Sequence, residues 1–121
     1  MPFSFLLDEN LRGPLWLAIQ RHNAEGQYAL DAIRVGDVPE LPLGADDPAI
    51  LKWSETNGRI LITLDRSTME PPLRDYIASG GQCPGIISVK HSSVISEVIE
   101  FLALMNVASA PEDWLNRVHY L

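Results

Sequence analysis

Short apolar blocks recur along the chain, and several of them stop abruptly at an acidic or polar residue. Phe3-Ser4-Phe5-Leu6-Leu7 gives way to Asp8-Glu9-Asn10, which predicts a buried strand running into a polar turn. Leu11, Leu15, Ala18 and Ile19 then recur near helical spacing. With Pro14 suited to a first turn and Gly26 as a stop signal, they predict a helix from Pro14 to about Ala24. Tyr28 to Val35 mixes β-branched and apolar residues with Asp31 and Arg34 and reads as a second strand.

Gly36 to Asp46 carries prolines and glycines without periodicity and is a loop inside one domain, because too few residues precede it to form a separate core. Asp47-Pro48 opens a second helix through Ile50, Leu51 and Trp53, and Asn57-Gly58 closes it. Arg59-Ile60-Leu61-Ile62-Thr63-Leu64 is the strongest strand signal, and it ends at Asp65. Within Thr68–Ser79 a helix is expected beyond the Pro71-Pro72 pair. Gly80-Gly81 breaks the chain, and Gly85-Ile86-Ile87-Ser88-Val89 forms a further strand followed by Lys90-His91. Ser93 to Met105 sets Val94, Ile95, Val98, Ile99, Leu102 and Met105 on one broad face, with Ser92 or Ser93 as the cap. A short helix from Ser109 through Leu115 and an edge strand over 118–121 complete the pattern.

Strands alternating with helices predict a single α/β domain spanning residues 1–121. The expected architecture is a three-layer α/β/α arrangement with a mostly parallel central sheet of four to five strands joined by right-handed crossovers. In such sheets ligands bind beyond the carboxyl ends of the strands, where the strand order reverses. That rule draws attention to the acids after the first and third strands.

Composition narrows the chemistry. Among 121 residues, 9 Lys+Arg stand against 16 Asp+Glu, a formal net charge of −7, and 46% of positions are apolar. The acidic balance argues against a passive nucleic-acid binder, which gains affinity by neutralising phosphates, but not against a nuclease whose carboxylates hold divalent cations. No apolar run is long enough to span a bilayer and no basic region precedes the first strand, so a soluble cytoplasmic protein is expected. Cys83 is alone, which excludes an internal disulfide and a cysteine-based zinc site. His22, His91 and His119 lack the short spacing of a zinc motif.

Asp8 and Glu9 follow the first strand, Asp65 follows the third, and Asp46-Asp47 start the helix leading into that third strand, so Asp8, Asp47 and Asp65 are expected to converge. Such a cluster repels itself unless protons or a cation neutralise it, and Mg²⁺ or Mn²⁺ suits a few carboxylate oxygens that leave waters in place. Each acid also has an ordinary role available. Asp47 before Pro48 suits an N-cap, with Asp46 as the alternative ligand or the reverse; Glu9 suits a solvated turn, and Asp65-Arg66 a surface turn.

Three segments carry a family resemblance: Phe5-Leu6-Leu7-Asp8-Glu9-Asn10-Leu11, Gly44-Ala45-Asp46-Asp47-Pro48-Ala49-Ile50-Leu51, and Gly58-Arg59-Ile60-Leu61-Ile62-Thr63-Leu64-Asp65-Arg66. In this order and spacing the chain resembles the small PIN-like proteins of the DUF5615 group, relatives of the Mut7-C and VapC-type PIN domains. The resemblance implies a Mg²⁺- or Mn²⁺-dependent endoribonuclease acting on single-stranded RNA, the toxin of a toxin–antitoxin pair whose partner is a small DUF433-like protein. It places the catalytic, metal-binding acids on Asp8, Asp47 and Asp65, with Glu9 adjacent. Glu9 or Asp46 is available to complete the metal site, Arg66 or Lys90 to steady the scissile phosphate, and Lys90 or His91 to contact a phosphate where the fourth acid would stand. A homodimer is also implied, with Trp114 near Phe101 and Leu102 as a candidate dimer surface.

The chain departs from the PIN pattern at the fourth acid, where Val89-Lys90-His91 brings no carboxylate. That absence supports a rival reading, a PIN-like binding module with little or no catalysis. A second rival is a phospho-receiver, which also has acids after its first strand, an Asp after its third and a Lys after a later one. Receivers lack an acid at the position of Asp47.

Overall fold

The computed structural model describes residues 3–11, 13–25, 29–64 and 69–121. Five strands, β1 (Ser4–Leu7), β2 (Asp31–Arg34), β3 (Arg59–Leu64), β4 (Ile86–Val89) and β5 (Val118–Tyr120), alternate with α1 (Pro14–Ala24), α2 (Asp47–Asn57), α3 (Glu70–Ala78) and α4 (Ile95–Ala108). The sheet order is β2-β1-β3-β4-β5 and every neighbouring pair is parallel. The expected α/β class, with a three-layer α/β/α arrangement around a parallel sheet, is the observed one.

Parallel strands are covered on both faces, which explains their nearly continuous apolar sequences. Strand periodicity sorts their side chains. Phe5, Leu7, Ile60, Ile62, Leu64, Ile87 and Val89 share one core with Leu15 and Ile19 of α1 and Val98, Ile99, Leu102 and Met105 of α4. Leu6, Leu61 and Ile86 face the other way, into a core with Ile50 and Leu51 of α2 and Leu73 of α3. The register sets Leu7 beside Ile62 and Leu64 beside Val89, so the three central strands end along one rim.

The expectation of uniformly right-handed crossovers does not hold. α1 carries the chain from β1 outward to β2 on one face, while α2 and α3 carry it the opposite way on the other face, and these three connections share one hand. α4 travels in the same direction as α2 and α3 but packs on the α1 face, so its crossover has the opposite hand. The usual preference is outweighed here by burial. With α4 on the α2/α3 face, α1 and the turn after β1 would be left to cover the other side, and Ile87 and Val89 of β4 would lose the helix in their core. At roughly 1.5–3 kcal/mol per large apolar side chain, that exposure is costly.

Local differences have simple causes. Pro71 and Pro72 fall within the first turn of α3 rather than before it, because first-turn N–H groups have no intrahelical partner to lose. Neither Ser92 nor Ser93 caps α4. The N-cap is Val94, and Ser93 Oγ instead accepts the Lys90 amide at 3.0 Å, closing the turn after β4. The segment after Ser109 forms only a 3₁₀ turn at Pro111–Asp113. Trp114 is buried, edge-on to Phe3 and Phe101, with Nε1 donating to Ser109 Oγ at 2.9 Å. It belongs to its own core and offers no dimer surface.

Candidate functional site

The strand order reverses between β1 and β3, so the crevice expected for a doubly wound sheet opens where these neighbours end. Asp8 stands there. Leu7 points into the α1/α4 core, so strand alternation sends the next residue toward α2, the side that Thr63 also faces between Ile62 and Leu64. The Asp8 amide continues the ladder by donating to Ile62 O at 2.9 Å. Its carboxylate is fixed at both oxygens: Oδ2 accepts Thr63 Oγ1 at 2.9 Å, and Oδ1 accepts the Glu9 amide at 2.8 Å.

The N-terminus of α2 supplies the second acid. Asp46, not Asp47, is the N-cap, with its Oδ1 accepting the Ala49 amide at 3.0 Å. The cap of α2 is thereby provided and Asp47 is left half-buried in the first turn. Burial raises the Asp47 pKa above the ordinary aspartate value, and the negative charges of Asp8 and then Asp46 raise it further. The Asp8 charge therefore reaches Asp47 although the two residues are 39 positions apart in sequence.

Glu9 is more than a solvated turn residue. Its Oε1 accepts the Gly44 amide at 2.9 Å, tying the loop before α2 to the 3₁₀ turn Glu9–Leu11 after β1. Gly44 holds φ +85°, a left-handed conformation that favours glycine. The same hydrogen bond helps hold Asp46 and Asp47 near Asp8. Lys90, directly after β4, is exposed and lies with His91 at the mouth of a cavity on the α1/α4 face. Asp65 and Arg66 follow β3 in sequence and lie outside the described residues. Among the described residues no group of three or more His, Cys, Asp or Glu side chains is placed to hold a metal ion. Among these residues the Asp8 charge is linked electrostatically to Asp47.

Thr63 is the functional position that the sequence reading missed. A hydroxyl residue within the apolar run of β3, on the same face as Asp8 by strand alternation, was the available signal. Comparison with protein-family models, curated proteins and solved structures finds no match to this chain. No helix among the described residues is long and apolar enough to cross a membrane.

The coupling gives a stability prediction with a definite sign. Because the folded state holds the Asp47 proton more tightly than the unfolded chain, stability falls as pH rises from the ordinary aspartate range through the raised value, and the loss persists at neutral pH. Asp47→Asn should therefore melt at a higher temperature than wild type at pH 7 in EDTA. The difference should vanish below about pH 3.5, under the ordinary aspartate pKa. A variant less stable than wild type at pH 7 would contradict the repulsion.

Proposed function

We propose that this chain is a PIN-like, Mg²⁺- or Mn²⁺-dependent endoribonuclease that cleaves single-stranded RNA, working in the cytoplasm as the toxin of a pair with a small DUF433-like antitoxin. The observation that carries the reading is Asp8. Its carboxylate is held by Thr63 at the strand-order reversal, with half-buried Asp47 electrostatically coupled to it. A structural carboxylate has little reason to sit beside a second one, whereas a cation site requires it.

The donor set fits a small hard cation: oxygen ligands from Asp8 and Asp47, with Asp65 as the third acid proposed from its place directly after β3. Asp8, Asp47 and Asp65 would hold the ion, which would supply Lewis acidity toward a phosphoryl oxygen and toward the attacking water. Thr63 and the Glu9 amide keep the Asp8 carboxylate oriented, so little reorganisation remains when substrate arrives. Glu9 keeps the Gly44 loop in place, and with it the approach of α2. Lys90 and Arg66 are the proposed phosphate contacts.

The catalytically weak binding module remains the second reading, favoured by the end of β4, where Lys90 and His91 replace an acid. A receiver-like reading draws on the same β2-β1-β3-β4-β5 order, which is that of flavodoxin-like folds, but leaves the Asp8–Asp47 coupling without a role. The deciding experiment uses purified protein with 5′-labelled single-stranded RNA, in Mg²⁺, in Mn²⁺ and in EDTA, beside Asp8→Asn and Asp65→Asn. Internal cleavage by wild type with either metal, lost in EDTA and in both variants, supports the nuclease. RNA left intact while the protein still binds it supports the binding module.

A further inference from the structure

A second feature shares the rim with the acids but lies on the opposite face of the sheet. Between the starts of α1 and α4 is a cavity of about 190 Å³. Its floor is apolar, with Leu15, Leu64 and Val98 all buried, and its mouth carries Asn10, Lys90 and His91. The volume is below the roughly 300 Å³ at which pockets for drug-sized ligands begin, the scale of a single ring system. An apolar slot with the Lys90 ammonium at its rim suits a ligand with an uncharged flat body and an anionic group attached to it.

Two details tie this slot to the acids. Asn10 is two residues from Asp8, which keeps their Cα atoms within about 7.6 Å of each other, and Leu64 closes β3 directly before Asp65. The positive charge of Lys90 is also local. In a chain with 9 Lys+Arg against 16 Asp+Glu, Lys90 and His91 stand together at the one strand end where the other central strands are followed by acids. Lys90 is set in place by a closed turn, its amide donating to Ser93 Oγ and its carbonyl accepting the Ser93 amide, both at 3.0 Å.

We infer that this cavity receives a single unstacked base of the RNA strand, with Lys90 and His91 on that nucleotide's phosphate, so that the strand crosses the sheet rim and presents its neighbouring phosphate to Asp8 and Asp47. The inference rests on the proposed RNA-cleaving site and adds a substrate-positioning subsite to it. Every base has an apolar face, so such a slot accepts RNA with little sequence preference beyond ring size.

The test is an NMR titration of ¹⁵N-labelled wild-type protein in EDTA, where metal-dependent cleavage is stopped, with six-nucleotide poly(U) and poly(A) RNA and separately with UMP and AMP. The expected result is that the oligomers shift the amides of Asn10, Leu15, Lys90 and Val98, and that the mononucleotides shift the same set more weakly. Ile95→Trp, which fills the slot from a half-buried lining position, and Lys90→Gln, at an exposed position, should each weaken oligomer binding about tenfold. Oligomer shifts confined to other residues, or unchanged affinity in Ile95→Trp, would overturn the inference. The two proposals fail separately. If RNA is cleaved with Mn²⁺ and Ile95→Trp keeps the wild-type KM and product pattern, the subsite is wrong and the nuclease stands. If the cavity amides shift but no metal supports cleavage, the subsite stands and the nuclease is wrong.

Discussion

Asp8→Asn is expected to lower the proposed metal-dependent RNA cleavage by about three orders of magnitude, the consequence of losing several kcal/mol of cation-mediated stabilisation at about 1.4 kcal/mol per decade. The substitution is chosen to isolate charge. An asparagine keeps the backbone bond to Ile62 O, and its side-chain oxygen can still accept from Thr63, at the loss of the acceptor for the Glu9 amide. The fold should therefore survive, and thermal melting checks that it does. Charge removal relieves the repulsion felt by Asp47 and offsets the lost bond to the Glu9 amide, so the metal-free variant is expected to be about as stable as wild type. Single-turnover cleavage of labelled RNA reads the effect. Residual activity within tenfold of wild type, in a folded variant, would remove Asp8 from the chemistry.

The second large effect is structural and lies at the other end of β4. Gly85→Ala should destabilise the protein by about 2–5 kcal/mol, combining a backbone held outside the range favoured by L-residues with an overpacked contact. Gly85 has φ +142°, and a Cβ added there would meet the Trp114 carbonyl oxygen at 2.8 Å and the Trp114 Cβ at 3.0 Å. Neither neighbour can move freely. Trp114 is locked among Phe3, Phe101 and Ser109, and the Gly85 carbonyl accepts the Leu61 amide at 3.0 Å. This close approach lies where the segment between α4 and β5 packs against the start of β4. Urea unfolding measures the cost; a loss below about 1 kcal/mol would mean that the contact relaxes more easily than its surroundings suggest.

Much of the fold was legible because parallel strands buried on both faces write continuous apolar runs, and β3 and β4 were read on that basis. α1 spans Pro14–Ala24 as its proline and spacing predicted, and Gly58 closes α2 in a left-handed conformation as the Asn-Gly pair implied. The hand of the last crossover was not legible. α4 presents apolar residues over a broad arc and would suit either face; which face it takes depends on how much of the sheet the other helices leave bare, a property of the assembled layers.

The site divides along similar lines. Acids after apolar runs pointed to one rim, and the order reversal between β1 and β3 sets Asp8 there. The choice between Asp46 and Asp47 as the cap turned on a single hydrogen bond to Ala49, which spacing alone does not fix. Thr63 was passed over because a threonine in a strand ordinarily signals β-propensity rather than a bond to a distant carboxylate. Glu9 was read as a turn residue because its partner, the Gly44 amide, is 35 positions away.

The whole functional account depends on Asp8 and Asp47 sharing one divalent ion. A crystal soaked in millimolar Mn²⁺ and measured at the manganese absorption edge tests this directly. The account predicts an anomalous peak between the two carboxylates, with oxygen ligands at roughly 2.0–2.3 Å, in the range of small hard cations, and with Asp65 at or near the ion. An ordered rim with no peak there at saturating Mn²⁺ would contradict it.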